Sequence, residues 1–412
     1  MTVMRIALGV TLALLATGCG RPQTTPQATG ITFKDDVAFL EKHGGVVVLS
    51  DPSGLAQVAV VPALQGRVMT STAEGPEGMS FGWINRDLLA SGKTLEHFNP
   101  YGGEERMWLG PEGGQFSIFF AKGAPFDLAH WYVPPAIDTE PFAILGKGPS
   151  SALFHRRFQV TNYSGTKFDV DIRRQVRVLP AAEAWKLLGV APAPGTRMVA
   201  YESANKITNA GKEPWRKDTG LLSVWILGMF NPSPATTVVI PFKAGPDAEL
   251  GPPVKDDYFG KVPADRLVVK NNVAYFSADG RCRSKIGVNP KRVKPILGSY
   301  DATNRVLTLV QFTLPAGAAD YVNSAWEIQK NPYAGDVANS YNDGPPAPGK
   351  KPMGPFYELE SSSPAAALGP GQSLEHIHRT IHLRGEEQDL DAIARTTLGV
   401  GLREITTALP KK

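Results

Sequence analysis

From Gly44 onward, short runs of apolar and β-branched residues recur between turn formers: VVVLS at 46–50, QVAVVP at 57–62, FSIFF at 116–120 and TTVVIPF at 236–242. Runs of this length bounded by Gly, Pro, Asn and Ser predict strands. The clearest pattern is FQVTNYSGTKFDVDIRRQVRVL, 158–179, where Phe168, Val170 and Ile172 alternate with Asp169, Asp171 and Arg173. A period of two marks a strand with one wet face, and Asn162-Tyr163-Ser164-Gly165 supplies the turn of a hairpin. Further strands are predicted at 221–230, 266–277, 305–314, 356–362 and 374–383. Helical signals are sparse: AAEAWKLLG at 181–189, and EEQDLDAIARTTL at 386–398 with an acidic first turn. The prolines and glycines of DGPPAPGKKPMGP, 343–355, can continue neither element. Strand-like sequence resumes immediately after it, so it reads as an excursion within one domain. The expectation is an all-β fold, a single large domain over 31–385 with few short helices, and a C-terminal helical segment, 386–412, packed on it.

Composition narrows the function classes. Forty-three Lys and Arg against 39 Asp and Glu leave a net charge of +4, without the concentrated basic excess of a nucleic-acid binder. No Walker loop, no Gly-x-Gly-x-x-Gly, no Gly-x-Ser-x-Gly elbow and no His-Glu-x-x-His helix is present, so no nucleotide cofactor is expected. The N-terminal MTVMRIALGVTLALLATGC reads as a secretory signal over 1–18, its apolar run too short to span a bilayer. Ala16-Thr17-Gly18-Cys19 is similar to a lipobox, which makes Cys19 the acylated residue and 19–30 a polar, proline-bearing tether. Gly20 rather than aspartate follows, and the expected address is the cell envelope, at the outer membrane facing the periplasm or cell surface. With Cys19 acylated, Cys282 is the only other cysteine, and no disulfide forms within the mature chain.

Four segments carry a family resemblance: VAVVPALQGRVMTS, NPYGGEERMWLGPEGGQFSIFF, FQVTNYSG and FYELESSSPAAALGPGQSLEHIHRTIHL. Together, across roughly residues 45–385, they resemble the galactose mutarotase-like, or aldose 1-epimerase, superfamily, and more closely bacterial lipoproteins of that type. The resemblance implies a β-supersandwich and a carbohydrate-facing cleft. It also implies a general-acid histidine in a His-x-Tyr-Phe-Asn-Leu-like stretch, for which the nearest segment here is YESANKITNAG. There Asn205 stands about where the histidine would be, and an amide cannot protonate a ring oxygen.

Candidate chemistry gathers in five places. Glu358 and Glu360 lie two apart on a predicted strand and so share a face; the resemblance points to Glu360 as the base. On the last strand His376, His378, Thr380 and His382 share a face. If that strand pairs with the Glu358/Glu360 strand, His376 and His378 stand beside two carboxylates, an acid/base pairing or a divalent-metal set. Gly102–Trp108 brings Glu104, Arg106 and Trp108 together, an indole to stack on a pyranose and charged groups for its hydroxyls. NSYNDGPP brings Asn339, Tyr341, Asn342 and Asp343 together, near Asp336 and Trp326. Finally, RCRSKIGVNPKRVKP, 281–295, holds six basic side chains and no acid, with Lys285 the candidate for an inward-facing cation. The expected function is carbohydrate binding by a lipid-anchored protein, with epimerase-like or lyase-like acid/base chemistry. The alternative is a non-catalytic glycan-binding or structural envelope lipoprotein. Oligomeric state is not legible.

Overall fold

The structure is a computed structural model that describes residues 30–410. Its first third holds helix α1 (Phe33–Lys42), strands β1 (Val47–Ser50), β2 (Gln57–Val61) and β3 (Arg67–Thr72), helix α2 (Arg86–Ser91) and strand β4 (Arg106–Gly110). The middle holds β5 (Ala143–Lys147), β6 (Ser151–Thr161), β7 (Lys167–Val178), α3 (Ala181–Leu188), β8 (Arg197–Asn209), β9 (Ser223–Phe230), β10 (Thr236–Pro241) and α4 (Asp247–Leu250). The last third holds β11 (Leu267–Lys270), β12 (Val273–Ser277), β13 (Ser284–Val288), β14 (Ile296–Asp301), β15 (Val306–Phe312), β16 (Ala338–Asn342), β17 (Tyr357–Ser362) and β18 (Ser373–Arg384). Helices α5 (Glu387–Leu398) and α6 (Leu402–Thr406) end it. The predicted hairpin is β6–β7, paired in full antiparallel register from Ser151↔Arg177 to Thr161↔Lys167. The run 266–277 splits into β11 and β12 around Asn271-Asn272, whose φ angles of 52° and 60° are those of a two-residue hairpin turn that asparagine tolerates. FSIFF at 116–120 forms no strand: it is a loop with a single bridge, Phe120↔Trp131, because its rings fill space against other loops.

Among the described residues the strands form three sheets. One has ten strands in the order β11-β12-β10-β14-β15-β18-β8-β7-β6-β5, a second has five in the order β13-β16-β17-β9-β4, and β1-β2-β3 form a third. The large sheets pack face to face. Val238, Ile240, Leu297 and Val310 meet Ile286, Val288, Ala338 and Leu359 in one buried cluster, and Phe168, Val170 and Ile172 meet Val224 and Ile226 in another. Each such side chain contributes about 1.5–3 kcal/mol on burial. Helices α3, α5 and α6 cover part of the outer face of the ten-stranded sheet, where Trp185, Leu390, Ile393 and Leu398 pack on Val239, Leu307 and Leu309. The loop 343–356 joins β16 to its antiparallel neighbour β17, so the Pro/Gly excursion stays inside one sheet.

The last strand does not pair with the Glu358/Glu360 strand. β18 lies between β8 and β15 in the ten-stranded sheet, while β17 lies between β16 and β9 in the five-stranded one. Half of β18 is buried, chiefly its C-terminal part, which suits a central strand of the larger sheet. The two strands therefore face each other across the sandwich rather than lying edge to edge.

Candidate functional site

Alternation divides β17 into two chemistries. Leu359 and Ser361 point into the sandwich, and Ser361 Oγ lies 2.8 Å from both His376 Nε2 and His378 Nδ1. One hydroxyl proton serves only one ring, so the other imidazole donates. Both histidines are fully buried; burial lowers the His376 pKa to about 3, and burial, His376 and Arg174 lower that of His378 well below the usual value. Asn205 is in the same interior, accepting from Arg174 Nη1 at 2.5 Å, and Arg174 Nη2 donates to Glu105 Oε1 at 2.7 Å in an ion pair with no exposure on either side. Glu104 is interior as well: it accepts from Tyr201 Oη at 2.9 Å and from Ser71, and lies 3.0 Å from His382 Nε2. The expected pairing of His376 and His378 with Glu358 and Glu360 is thus not formed, because the carboxylates project from the opposite face of β17. Among the described residues no group of three or more His, Cys, Asp or Glu is arranged to hold a metal.

The opposite face of the five-stranded sheet carries Glu358 and Glu360. Lys285 Nζ and Trp225 Nε1 each donate to Glu360 Oε2 at 2.9 Å, and Arg106 Nη2 donates to Glu358 Oε1 at 2.9 Å. Both carboxylates are buried, Glu360 completely. Burial raises the Glu358 pKa to about 8 against the pull of Arg106, with Glu360 adding to the rise. Arg106 stacks on Trp108, its Cζ 4.1 Å from the ring centroid. Trp108 itself is 2% exposed and packs against Phe98, Phe119 and Trp225, so it is core, not a sugar platform. Aromatic rings from FSIFF cover it, which is what that segment does in place of a strand.

Above Lys285 and Trp225 lies a cleft of about 510 Å³. Sheet residues Trp225, Lys285 and Asn339 line its floor, and loops raise its walls: Glu112, then Lys255, Tyr258 and Phe259, then Trp326 and Asp336. Glycines let these parts approach. A Cβ on Gly287 would sit 2.2 Å from Asp336 Oδ2, and one on Gly113 would sit 2.4 Å from Ala325 O, so side chains there would push the walls apart. Tyr258 donates to Asp336 Oδ2, and Asn339 Nδ2 donates to Tyr258 Oη at 3.1 Å. Burial raises the Asp336 pKa, opposed by the Tyr258 bond. Burial raises that of Glu112 to about 6, against Lys285 and with Glu360. For Lys285 burial disfavours the charge, but Glu360 and Glu112 outweigh it and hold the ammonium form.

Of the expected site residues, Lys285 lines this cleft, Glu360 holds it from beneath, and Arg106 and Glu358 form a buried pair beside them. Tyr341 donates to Asp343 at 2.8 Å, and Asp343 accepts from Gly354 N at 2.9 Å and is raised to about 6 by burial. Asn342 donates to Cys282 O and accepts from Gly280 N; these three order the 343–356 loop. Cys282 is buried, and its backbone carbonyl accepts from Asn342 and Ser284; Cys19 lies outside the described residues. Glu112, Trp225, Lys255, Tyr258 and Phe259 escaped the sequence reading. The one signal was KDDYF, 255–259, where charge and rings are concentrated between prolines and glycines.

The chain is similar in structure to the Slr1438 protein from Synechocystis sp. PCC 6803, at 14% identity over 83% of this chain and 96% of that one, with a TM-score of 0.46. It is also similar to a putative aldose 1-epimerase from Escherichia coli K12, at 12% identity over 83% and 99%, TM-score 0.46. A galactose mutarotase-like protein from Lactobacillus casei aligns at 10% identity over 82% and 100%, TM-score 0.46. No curated protein sequence matches. A family profile matches residues 31–409, and the chain belongs to that family, a family of unknown function, DUF6786.

Proposed function

We propose that the protein binds a carbohydrate in the cleft on the outer face of the five-stranded sheet. The observation that carries this is the cleft's composition: Trp225, Trp326, Tyr258 and Phe259 offer ring faces, while Glu112, Lys285 and Asn339 offer donors and acceptors in the same space. A pyranose has apolar C–H faces and an equator of hydroxyls, and needs both kinds of wall. A thermal-shift screen of the purified full chain against neutral and acidic mono- and oligosaccharides tests it. A ligand at 100 times its Kd stabilises by about 2.7 kcal/mol. Uniformly flat curves at millimolar sugar refute carbohydrate binding and favour the structural envelope role.

Acid/base chemistry on that sugar is a second layer, favoured by Glu112 alone. Its carboxyl is raised to about 6 and faces the cleft beside Lys285, so near neutral pH it exists in both protonation states. Glu360, out of reach beneath Lys285, acts as a positioning residue. The sequence pattern at 1–19 supports anchoring in the envelope through Cys19. Cys19→Ser is expected to release the protein from the membrane fraction, and continued membrane association of that variant overturns the anchor.

A further inference from the structure

We propose that the sugar held in this cleft bears an anionic substituent, a carboxylate or a sulfate, received by Lys255 and Arg283. This rests on the carbohydrate reading and adds the ligand's charge. Of the three cations lining the cleft, Lys285 is neutralised by Glu360 at 2.9 Å. Lys255 and Arg283 form no ion pair among the described residues, yet neither hangs free. Arg283 Cζ sits 3.8 Å from the Phe259 centroid and Lys255 Nζ 4.6 Å from that of Tyr258. A guanidinium stacked on a ring keeps its in-plane N–H donors for an acceptor at its edge. Backbone bonds in both directions between Lys255 and Gly287, each 2.8 Å, tie the first cation to the sheet edge that leads back to the second.

The acids around the cleft offset this pair only in part. Glu112 acts on Lys285 before Arg283, Asp336 accepts from Tyr258 and also draws on Lys255, and Asp343, held by Tyr341 and Gly354 N, draws on Arg283. Asp257 and Glu327 are exposed, where water screens them. The basic segment 281–295 supplies only two residues to the cleft. Arg292, for example, is buried and spent on the carbonyls of Lys243, Gly245 and Gly251.

Calorimetric titration of the full chain at fixed ionic strength tests this, with galacturonate, its trimer and galactose 6-sulfate against galactose and its trimer, and with sodium sulfate as a free anion. The acidic sugars are expected to bind at least about tenfold tighter than their neutral twins, as a charge-assisted hydrogen bond implies. Arg283→Gln and Lys255→Gln each remove that preference, Arg283→Lys restores part of it, and in all three the acidic sugar loses more affinity than its neutral twin. Equal or tighter binding of the neutral twins overturns the anionic preference and leaves the carbohydrate reading standing. Sodium sulfate binding as tightly as the sulfated sugar marks a bare anion site and overturns the proposal, whereas no binding by any sugar overturns both.

Discussion

His376 and His378 give a stability prediction whose size follows from their burial. Both rings are fully buried against Ser361, and both stay neutral in the folded protein far below the usual histidine value of 6.5. In the unfolded chain they titrate near that value. Between it and the folded value, the unfolded state binds more protons, so stability falls as pH falls. At about 1.4 kcal/mol per pH unit, each histidine removes about 2 kcal/mol on going from pH 7.5 to pH 5, and the pair about 4 kcal/mol. The figure at pH 5 depends on the unfolded value, because both folded values lie lower. Glu105, raised by burial, and Glu358, raised to about 8, act with the opposite sign by favouring the fold as pH drops. A difference measurement removes these contributions. His376→Gln and His378→Asn place amide groups near Nε2 and Nδ1, the atoms that meet Ser361, without a titrating ring. Urea unfolding followed by tryptophan fluorescence, for wild type and the double variant from pH 7.5 to 5, should show the two stability curves converging by about 4 kcal/mol. Parallel curves would refute the assignment of acid sensitivity to this pair.

Three further outcomes are expected. Lys285→Met strands the Glu360 carboxylate in the interior and should cost about 3–5 kcal/mol in urea unfolding, with most of it recovered in Lys285→Met/Glu360→Gln; no recovery in the double variant argues against the ion pair. Glu112→Gln should flatten the change in sugar affinity or turnover that wild type shows near pH 6, and an unaltered pH profile removes Glu112 from the chemistry. Gly287→Ala drives a methyl group onto Asp336 Oδ2, costs about 1–3 kcal/mol and weakens ligand binding; a variant with wild-type affinity shows that the Tyr258–Asp336 wall does not contact the ligand.

The fold was legible where one face of a strand stays wet. Phe168, Val170 and Ile172 alternate with polar neighbours, and the β6–β7 hairpin lies where that alternation puts it. It was illegible where rings pack on rings: FSIFF has strand composition, yet Phe119 and Phe120 cover Trp108 and Trp326 from a loop. Helix α1 escaped the sequence reading although Phe33, Val37 and Leu40 recur at helical spacing and a capping box, Thr32 and Asp35 bonded reciprocally, marks its start. The placement of β18 next to β17 followed from the turn-rich connection between them, but β18 buries His376, His378 and Thr380 beneath the opposing sheet and needs neighbours on both edges. For the site, Lys285 was picked from the basic run 281–295 as the inward-facing cation, and it lines the cleft. Arg174, in phase with Ile172 and Val176, marks a buried ion pair. The cleft walls were invisible, since Glu112, Lys255 and Trp326 come together only through tertiary structure.

The division of the cleft into a sheet floor and loop walls has an evolutionary consequence. Lys285 and Trp225 stand on strands whose inner neighbours, Ile286, Val224 and Ile226, build the sandwich core, so change at the floor is constrained by folding. Lys255, Tyr258, Phe259 and Trp326 sit on connections that add little to that core. Lineages of this chain are therefore free to exchange one ligand for another by rewriting two or three loops, and divergence among relatives should concentrate at 255–259 and 322–327 while the floor is retained.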